Sequence, residues 1–390
     1  MGRVTTSHSE SHVPESHTPE PHTPVPRSSP VRTFHSALPP ALLDVVCAAL
    51  DECGVIDGHN DLAWASRVAR QYSVDGLEGS VPTVNTDLPR LRAGGVAAQF
   101  WSVFAPTDEL GANAVQYTLE QIDFVYRLLA QYPASFQLAR SAEDIRTAAA
   151  AGRIASLLGA EGGHSINGSA GVLRMFARLG VRYMTLTHTS TTDWADSGTD
   201  DAEHNGLSPA GIDFVQEMNR LGMLVDLSHV SPATAHAALD VSTAPVIFSH
   251  SSCAATAAHP RNVPDDVLAR LAANGGVQMV TFVPMFLSEE YAQWDAAGQV
   301  GTAPPVTIAD AADHVEHARD VTGLDHIGLG GDYDGTPFFP KGLEDVASYP
   351  RLLAELASRG WNSDELSRLS GRNILRVLAA TDGDFAGASA

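Results

Sequence analysis

The chain has 390 residues, 44% of them hydrophobic, which is enough apolar material for one large core. Its 46 acidic residues against 24 basic ones give a net charge of −22, which excludes a nucleic-acid partner bound through clustered Lys and Arg. No apolar run reaches the ~18 residues of a membrane span, and the first thirty residues lack the apolar stretch of a secretory signal, so no membrane partner and a cytoplasmic location are expected.

Residues 1–33 mix Ser, Thr, Pro, His and Glu with almost nothing apolar, a composition that cannot repay the entropy of folding. They read as a disordered low-complexity tail ahead of one domain over 34–390. Loose metal binding by His8, His12, His17 and His22 is the weaker reading of that tail, solvated sequence the stronger. The start Met1-Gly2-Arg3-Val4-Thr5-Thr6 formally fits a myristoylation pattern. Lys341 is the single lysine, and this Arg-for-Lys usage with abundant Ala and Gly suggests a GC-rich bacterial source. Cys47, Cys53 and Cys253 are an odd set without CxxC spacing, which suggests a reduced compartment and no disulfide framework.

From residue 54 onward short apolar runs alternate with amphipathic segments, the pattern of repeated βα units. The predicted strands are 54–60, 95–103, 153–160, 182–188, 223–229, 245–250, 276–282 and 326–332. Eight such units specify a (β/α)8 TIM barrel. Segment 111–131 carries Val115, Leu119, Ile122, Val125 and Leu129 at helical spacing, and Ser208-Pro209 and Ser231-Pro232 open helices over 210–220 and 233–239. Segments 342–359 and 362–379 read as extra C-terminal helices outside the barrel. Segment 283–305 has no clear pattern.

The strand ends carry the chemistry, because in such a barrel they converge on one mouth. The first ends in His59-Asn60-Asp61, the third in Glu161, the fourth in His188, the fifth in His229, the sixth in His250 and the eighth in Asp332. His59 and Asp61 are two apart, so a strand sends both to one face; alone, the pair would read as a turn. Asp57 shares that parity but lies deeper and is assigned to structure. Glu161, before Gly162-Gly163, could equally cap a helix if it stood alone. His229 and His250 each follow an apolar strand and a serine, and together with the carboxylates they point to a metal cluster. With no lysine near the strand ends to carry a bridging carbamate, Glu161 is the bridge between two ions. One would take His59, Asp61 and Glu161, the other Glu161, His229 and His250. Zinc suits mixed N and O ligands, with Mn or Co as substitutes. Two ions about 3.5–4 Å apart can share one hydroxide. Asp332 is the expected proton shuttle, with Asp334 of the same parity as its competitor. His188 is surplus to the ligand set and is expected to donate to the developing oxyanion. Arg261 can fork onto a substrate carboxylate, or instead pair with Asp265 or Asp266.

These residues resemble the membrane (renal) dipeptidase family, the M19 metallopeptidases. The likeness runs from about Val55 to Val377 through Val55-Ile56-Asp57-Gly58-His59-Asn60-Asp61, Glu161-Gly162-Gly163-His164, Leu186-Thr187-His188, Asp226-Leu227-Ser228-His229, Ser249-His250-Ser251, Arg261-Asn262 and Gly330-Gly331-Asp332-Tyr333-Asp334-Gly335. The resemblance implies a binuclear zinc site on His59, Asp61, Glu161, His229 and His250, substrate contacts from His188 and Arg261, and Asp332 as proton shuttle. It also implies hydrolysis of dipeptides, including those with a D-residue at the carboxyl side, some action on dehydropeptides and β-lactams, and a homodimer. The rival readings are another amidohydrolase-type reaction on the same barrel, such as lactone or phosphotriester hydrolysis, and a non-catalytic metal- or peptide-binding protein.

Overall fold

The computed structural model describes residues 26–107 and 111–389. Each predicted strand segment overlaps a strand: β1 Val55–Asn60, β2 Val96–Phe104, β4 Ile154–Glu161, β5 Val181–Thr185, β6 Leu224–Asp226, β7 Ile247–Phe248, β8 Val277–Val280 and β9 Ile327–Leu329. An unpredicted short strand, β3 Phe136–Leu138, lies between the second and third of these and pairs only with the start of β4. All pairings between named strands are parallel; β9 returns to β1, and β2 pairs with β4, so eight strands close into a barrel. Helices outside and packed side chains inside bury β1 and β4 along their whole length, as a closed parallel sheet requires.

Several strands end before the predicted residue, β5, β6 and β9 by three residues each. Beyond β6 and β9 there is a local cause: His229, Asp332 and Asp334 adopt φ of 70°, 61° and 70°. A left-handed residue cannot continue a ladder, and for a non-glycine it costs about 1–3 kcal/mol, so the chain leaves the sheet there and turns its side chains to the mouth.

The expected helices form as Ala112–Gln131, Pro209–Arg220 and Pro232–Val241, the latter two capped by the Ser208 and Ser231 hydroxyls. The segment 342–359 is helical only over Tyr349–Ser358, after a short 3-10 turn that the Asp345 side chain opens at Ala347 N. The segment 362–379 begins at Ser363, widens into a π turn at Arg368–Arg372 and runs on as Asn373–Ser389. The illegible stretch 283–305 holds two short helices, Pro284–Leu287 and Glu289–Ala296.

The last helix is fastened by Arg182, which is fully buried. Its guanidinium donates to Gly222 O at 2.8 Å and Thr381 Oγ1 at 3.0 Å, pairs with Asp382 at 3.2 Å and lies 4.2 Å over the Phe385 ring. A core cluster gathers residues of β1, β2 and β4 to β8, such as Ile56, Phe100, Tyr183 and Met279, with Ile374, Val377 and Leu378 of this helix.

The boundary expected at residue 34 needs correction. Ser28–Phe34 is a helix whose Val31 is completely buried, and Ser28 N donates to Asp51 Oδ1 at 3.0 Å. Val31 in the main core, the Ser28–Asp51 bond and the Arg32–Asp44 pair at 2.7 Å join these residues to the domain. The histidines His8, His12, His17 and His22 and the start Met1–Thr6 lie outside the described residues. Cys47, Cys53 and Cys253 are all free. Among the described residues, no helix is long and apolar enough to cross a membrane.

Candidate active site

Glu161, the last residue of β4, stands at the centre of the mouth. Its Oε2 lies 3.4 Å from His59 Nε2 and accepts from Ser102 Oγ at 3.0 Å. Its Oε1 lies 3.1 Å from His229 Nε2, 3.5 Å from His250 Nε2 and 3.7 Å from His188 Nε2. Gly162 follows with φ of 101°, a conformation that lets the chain turn away directly behind the carboxylate. His59 Nε2 is also 3.3 Å from Asp61 Oδ2, which stands between the end of β1 and the helix Leu62–Arg70. The structure thus brings His59, Asp61, Glu161, His229 and His250 into one buried cluster, and Asp332 joins it through His59 and Asp61.

The opposite ring nitrogens decide which atoms face the cluster. Tyr183 Oη gives its proton to Gly58 O at 3.1 Å, so at 2.9 Å it accepts from His59 Nδ1–H. Ser249 Oγ gives its proton to Asp226 Oδ2 at 2.6 Å, so at 2.7 Å it accepts from His250 Nδ1–H. In the neutral form of both rings, Nε2 is then a lone pair aimed inward. His59 Nε2 has no hydrogen-bond partner, and His229 and His250 approach each other at 2.9 Å through Nε2. A buried set of carboxylates and imidazole lone pairs with so few protons among them fits divalent cations.

The competing assignments separate clearly. Asp57 turns away: it accepts from Gly331 N at 2.8 Å and Gln99 Nε2 at 2.8 Å, while burial pushes its carboxyl up to about 6. Asp334 braces a neighbouring loop by accepting from Asn85 N at 2.6 Å, and burial pushes it up to about 6 as well. Asp332 instead faces His59 and Asp61. Gly335 makes that approach feasible, since a Cβ there would stand 2.4 Å from both Asp332 Oδ1 and Asp61 Oδ2. Burial pushes the Asp332 carboxyl well above the usual range, and the Asp61 and Glu161 carboxylates add to this.

Arg261 is buried and forms no ion pair among the described residues; Asp265 and Asp266 are taken by His317 and His236 at 2.8 and 3.0 Å. Its guanidinium donates to His250 O at 3.3 Å and Ser251 Oγ at 3.4 Å and lies 5.1 Å from the Phe286 ring. His188 packs between Phe104 and His229, with ring centroids 4.7 and 4.3 Å away, and burial pushes it down to about 4. Asp61, Glu161, His188, His229, Arg261 and Asp332 line one cavity of about 610 Å³, walled by Trp64, Phe104, Val283, Met285 and Phe286. A larger hollow of about 770 Å³ lies among Arg27, Asp51, Arg92 and Arg153, by the starts of β2 and β4, and contains none of these groups.

Sequence reasoning missed Tyr183, Ser102 and the apolar walls, which carry no local signal. It registered the serine before each of His229 and His250 without a role for either; that repeated Ser-His pair was the available clue to Ser249.

The profile of the membrane dipeptidase family, peptidase family M19, matches residues 44–385. An uncharacterized dipeptidase of Schizosaccharomyces pombe is 45% identical over 348 residues, covering 84% of this chain and 81% of its own length. A dipeptidase of Clonostachys rogersoniana is 42% identical over 345 residues, covering 85% of each. These two relatives are fungal, so the bacterial source read from arginine usage gains no support from them. Among solved structures, a metallopeptidase from Rhodobacter sphaeroides liganded with a phosphinate mimic of the dipeptide L-Ala-D-Ala aligns with a TM-score of 0.73 at 25% identity, over 84% of this chain and 99% of that one. With a family profile spanning nearly the whole barrel and close relatives matched over most of their length, the chain belongs to the M19 membrane dipeptidase family and is a metal-dependent dipeptidase.

Proposed function

We propose that the enzyme hydrolyses dipeptides, those with a D-residue at the carboxyl side included, on two zinc ions that share Glu161. His59 and Asp61 complete one ion's ligands, and His229 and His250 the other's. The observation that carries this reading is the division of labour in one carboxylate: Glu161 Oε2 faces His59, while Oε1 faces His229 and His250. When bound, such ions supply a water that ionises near neutral pH and a Lewis acid for the scissile carbonyl.

The chain's own groups do the rest. Arg261, buried without an anion, grips the free carboxylate of the substrate and so measures one residue from the scissile bond. His188, held neutral by burial, donates to the carbonyl oxygen as charge builds there. Asp332 takes the proton from the attacking water and returns it to the departing amine. Acceptance of a D-residue is supported by the mimic bound to the Rhodobacter sphaeroides neighbour. Recognition through the carboxylate also leaves the configuration of the side chain free. A homodimer belongs to the same reading and is tested by sedimentation.

The decisive experiment combines metal analysis with a turnover panel of L,L and L,D dipeptides, dipeptide amides, a lactone and a phosphotriester. Two ions per chain are expected, with free dipeptides turned over fastest, and Glu161→Ala is expected to lose both metal and rate. A fully active Glu161→Ala enzyme, or faster turnover of the lactone or phosphotriester than of any dipeptide, overturns the proposal.

A further inference from the structure

Asp226, at the end of β6, is completely buried and forms no ion pair with any described Arg, Lys or His. Four donors from three adjacent strands and their ends converge on it. Thr185 Oγ1 and Ser249 Oγ reach Oδ2 at 2.7 and 2.6 Å, while Ser228 N and Ser249 N reach Oδ1 at 3.1 and 2.8 Å. A buried carboxylate is costly unless donors and positive charge offset the loss of water; Asp226 is held directly by these four donors, and Arg261 acts on it only from beyond ion-pair distance. The chain of bonds from Asp226 through Ser249 ends on His250 Nδ1, at 2.7 Å. The corresponding place behind His59 is filled by a neutral phenol, Tyr183, whose proton goes to a backbone carbonyl. Behind His229 there is nothing: its Nδ1 is buried without a hydrogen-bond partner.

From this unequal support we infer that Asp226 is a positioning residue for the ion on the His229 and His250 side. Through Ser249 it locks the His250 tautomer with Nε2 free, and its negative charge strengthens that imidazole as a ligand. The ion on the His59 side depends on Tyr183 instead. The inference rests on the two-ion reading given above.

The geometry dictates how a substitution acts. In Asp226→Asn the side-chain oxygen stays on the Ser228 and Ser249 amides, which turns the NH2 group toward Ser249 Oγ. That hydroxyl must then accept from the amide and give its own proton to His250 Nδ1. The ring flips tautomer and presents Nε2–H where the ion requires a lone pair. Ser249→Ala removes the relay without forcing the wrong tautomer, so its effect is smaller and falls on the same ion. Tyr183→Phe weakens the other one.

The test is a stepwise zinc titration of metal-free protein by calorimetry and chelator competition, with His59→Ala and His250→Ala identifying which step belongs to which side. Outer partners of metal ligands are typically worth about 10–100-fold in affinity. We expect Asp226→Asn to lose that much in the step missing from His250→Ala, with the other step unchanged and the Tyr183→Phe loss in the opposite step. If metal-free Asp226→Asn does not fold, Ser249→Ala carries the same comparison. Wild type binding two ions, with both steps unchanged in Asp226→Asn or Ser249→Ala, or weakened equally, overturns the inference. Wild type binding fewer than two ions overturns the reading beneath it.

Discussion

Arg182, near the start of β5, and Arg261, in the loop beyond β7, are two buried cations treated in opposite ways. Burial pushes both guanidinium groups down to about 10. Arg182 has Asp382, Thr381, Gly222 O and the Phe385 ring around it and holds the last helix. Arg261 has two long hydrogen bonds, of 3.3 and 3.4 Å, and no ion pair among the described residues, with Asp332, Glu161 and Asp226 acting on it only from further away. The same contrast separates two histidines that burial pushes down to about 4. His314 accepts from Cys253 N at 3.0 Å and donates to Leu287 O at 3.3 Å, whereas His188 has a buried Nδ1 without a partner. Away from the mouth, the Arg182 guanidinium reaches a carboxylate and both His314 ring nitrogens find backbone partners. At the mouth, Arg261 has no ion pair and His188 Nδ1 no partner, and under the function proposed above the substrate completes them.

The largest departure from wild type is expected at the mouth. Asp332→Asn keeps the metal content but loses about 10²–10⁴-fold in kcat, since an amide holds the position without carrying a proton. An Asp334→Asn enzyme with that loss, beside an active Asp332→Asn, would reverse the assignment.

Arg182→Leu tests the other region. It leaves Asp382 unpaired and should lower unfolding stability by about 3 kcal/mol, near the low end for broken buried pairs because Asp382 keeps some solvent. Its kcat/KM on dipeptides should not change while the chain is folded. A loss of turnover at full folding would tie this end of the barrel to the chemistry.

His314 gives a pH signature. Its folded pKa of about 4 lies below the ordinary 6.5, so its contribution to stability is complete above pH 6.5 and is lost as pH falls towards 4. The full effect is at most roughly 3 kcal/mol. Urea unfolding of wild type between pH 7.5 and 4.5 should show this loss, and His314→Gln should flatten it. An unchanged slope in the variant would assign the pH dependence to other groups.

Arg261→Met should cost about 10–100-fold in kcat/KM for dipeptides, the worth of charge-assisted bonds of roughly 1.5–3 kcal/mol. It should also narrow the preference for dipeptides over their amides, and the melting temperature should not fall. A drop in melting temperature like that of Arg182→Leu would show that Arg261 holds structure, and the comparison would fail.

The sequence alone determined the barrel and which histidines and carboxylates gather at its mouth, because both are written in short-range pattern. The spacing of two reads as one face for His59 and Asp61, and polar residues after apolar runs mark the strand ends at Glu161, His229 and His250. The sequence preferred Asp332 to Asp334 although both share parity, and only the tertiary structure shows their surroundings: both are left-handed, Asn85 N from a distant loop donates to Asp334, and Asp332 faces His59 and Asp61. The tertiary structure likewise left Arg261 without Asp265 or Asp266, drew Ser28–Phe34 into the domain, and set Tyr183 behind His59 across 124 residues of chain. The reason is physical: local pattern selects a strand and the face a side chain takes, but what lies opposite that face depends on how the closed barrel brings distant strands and loops together.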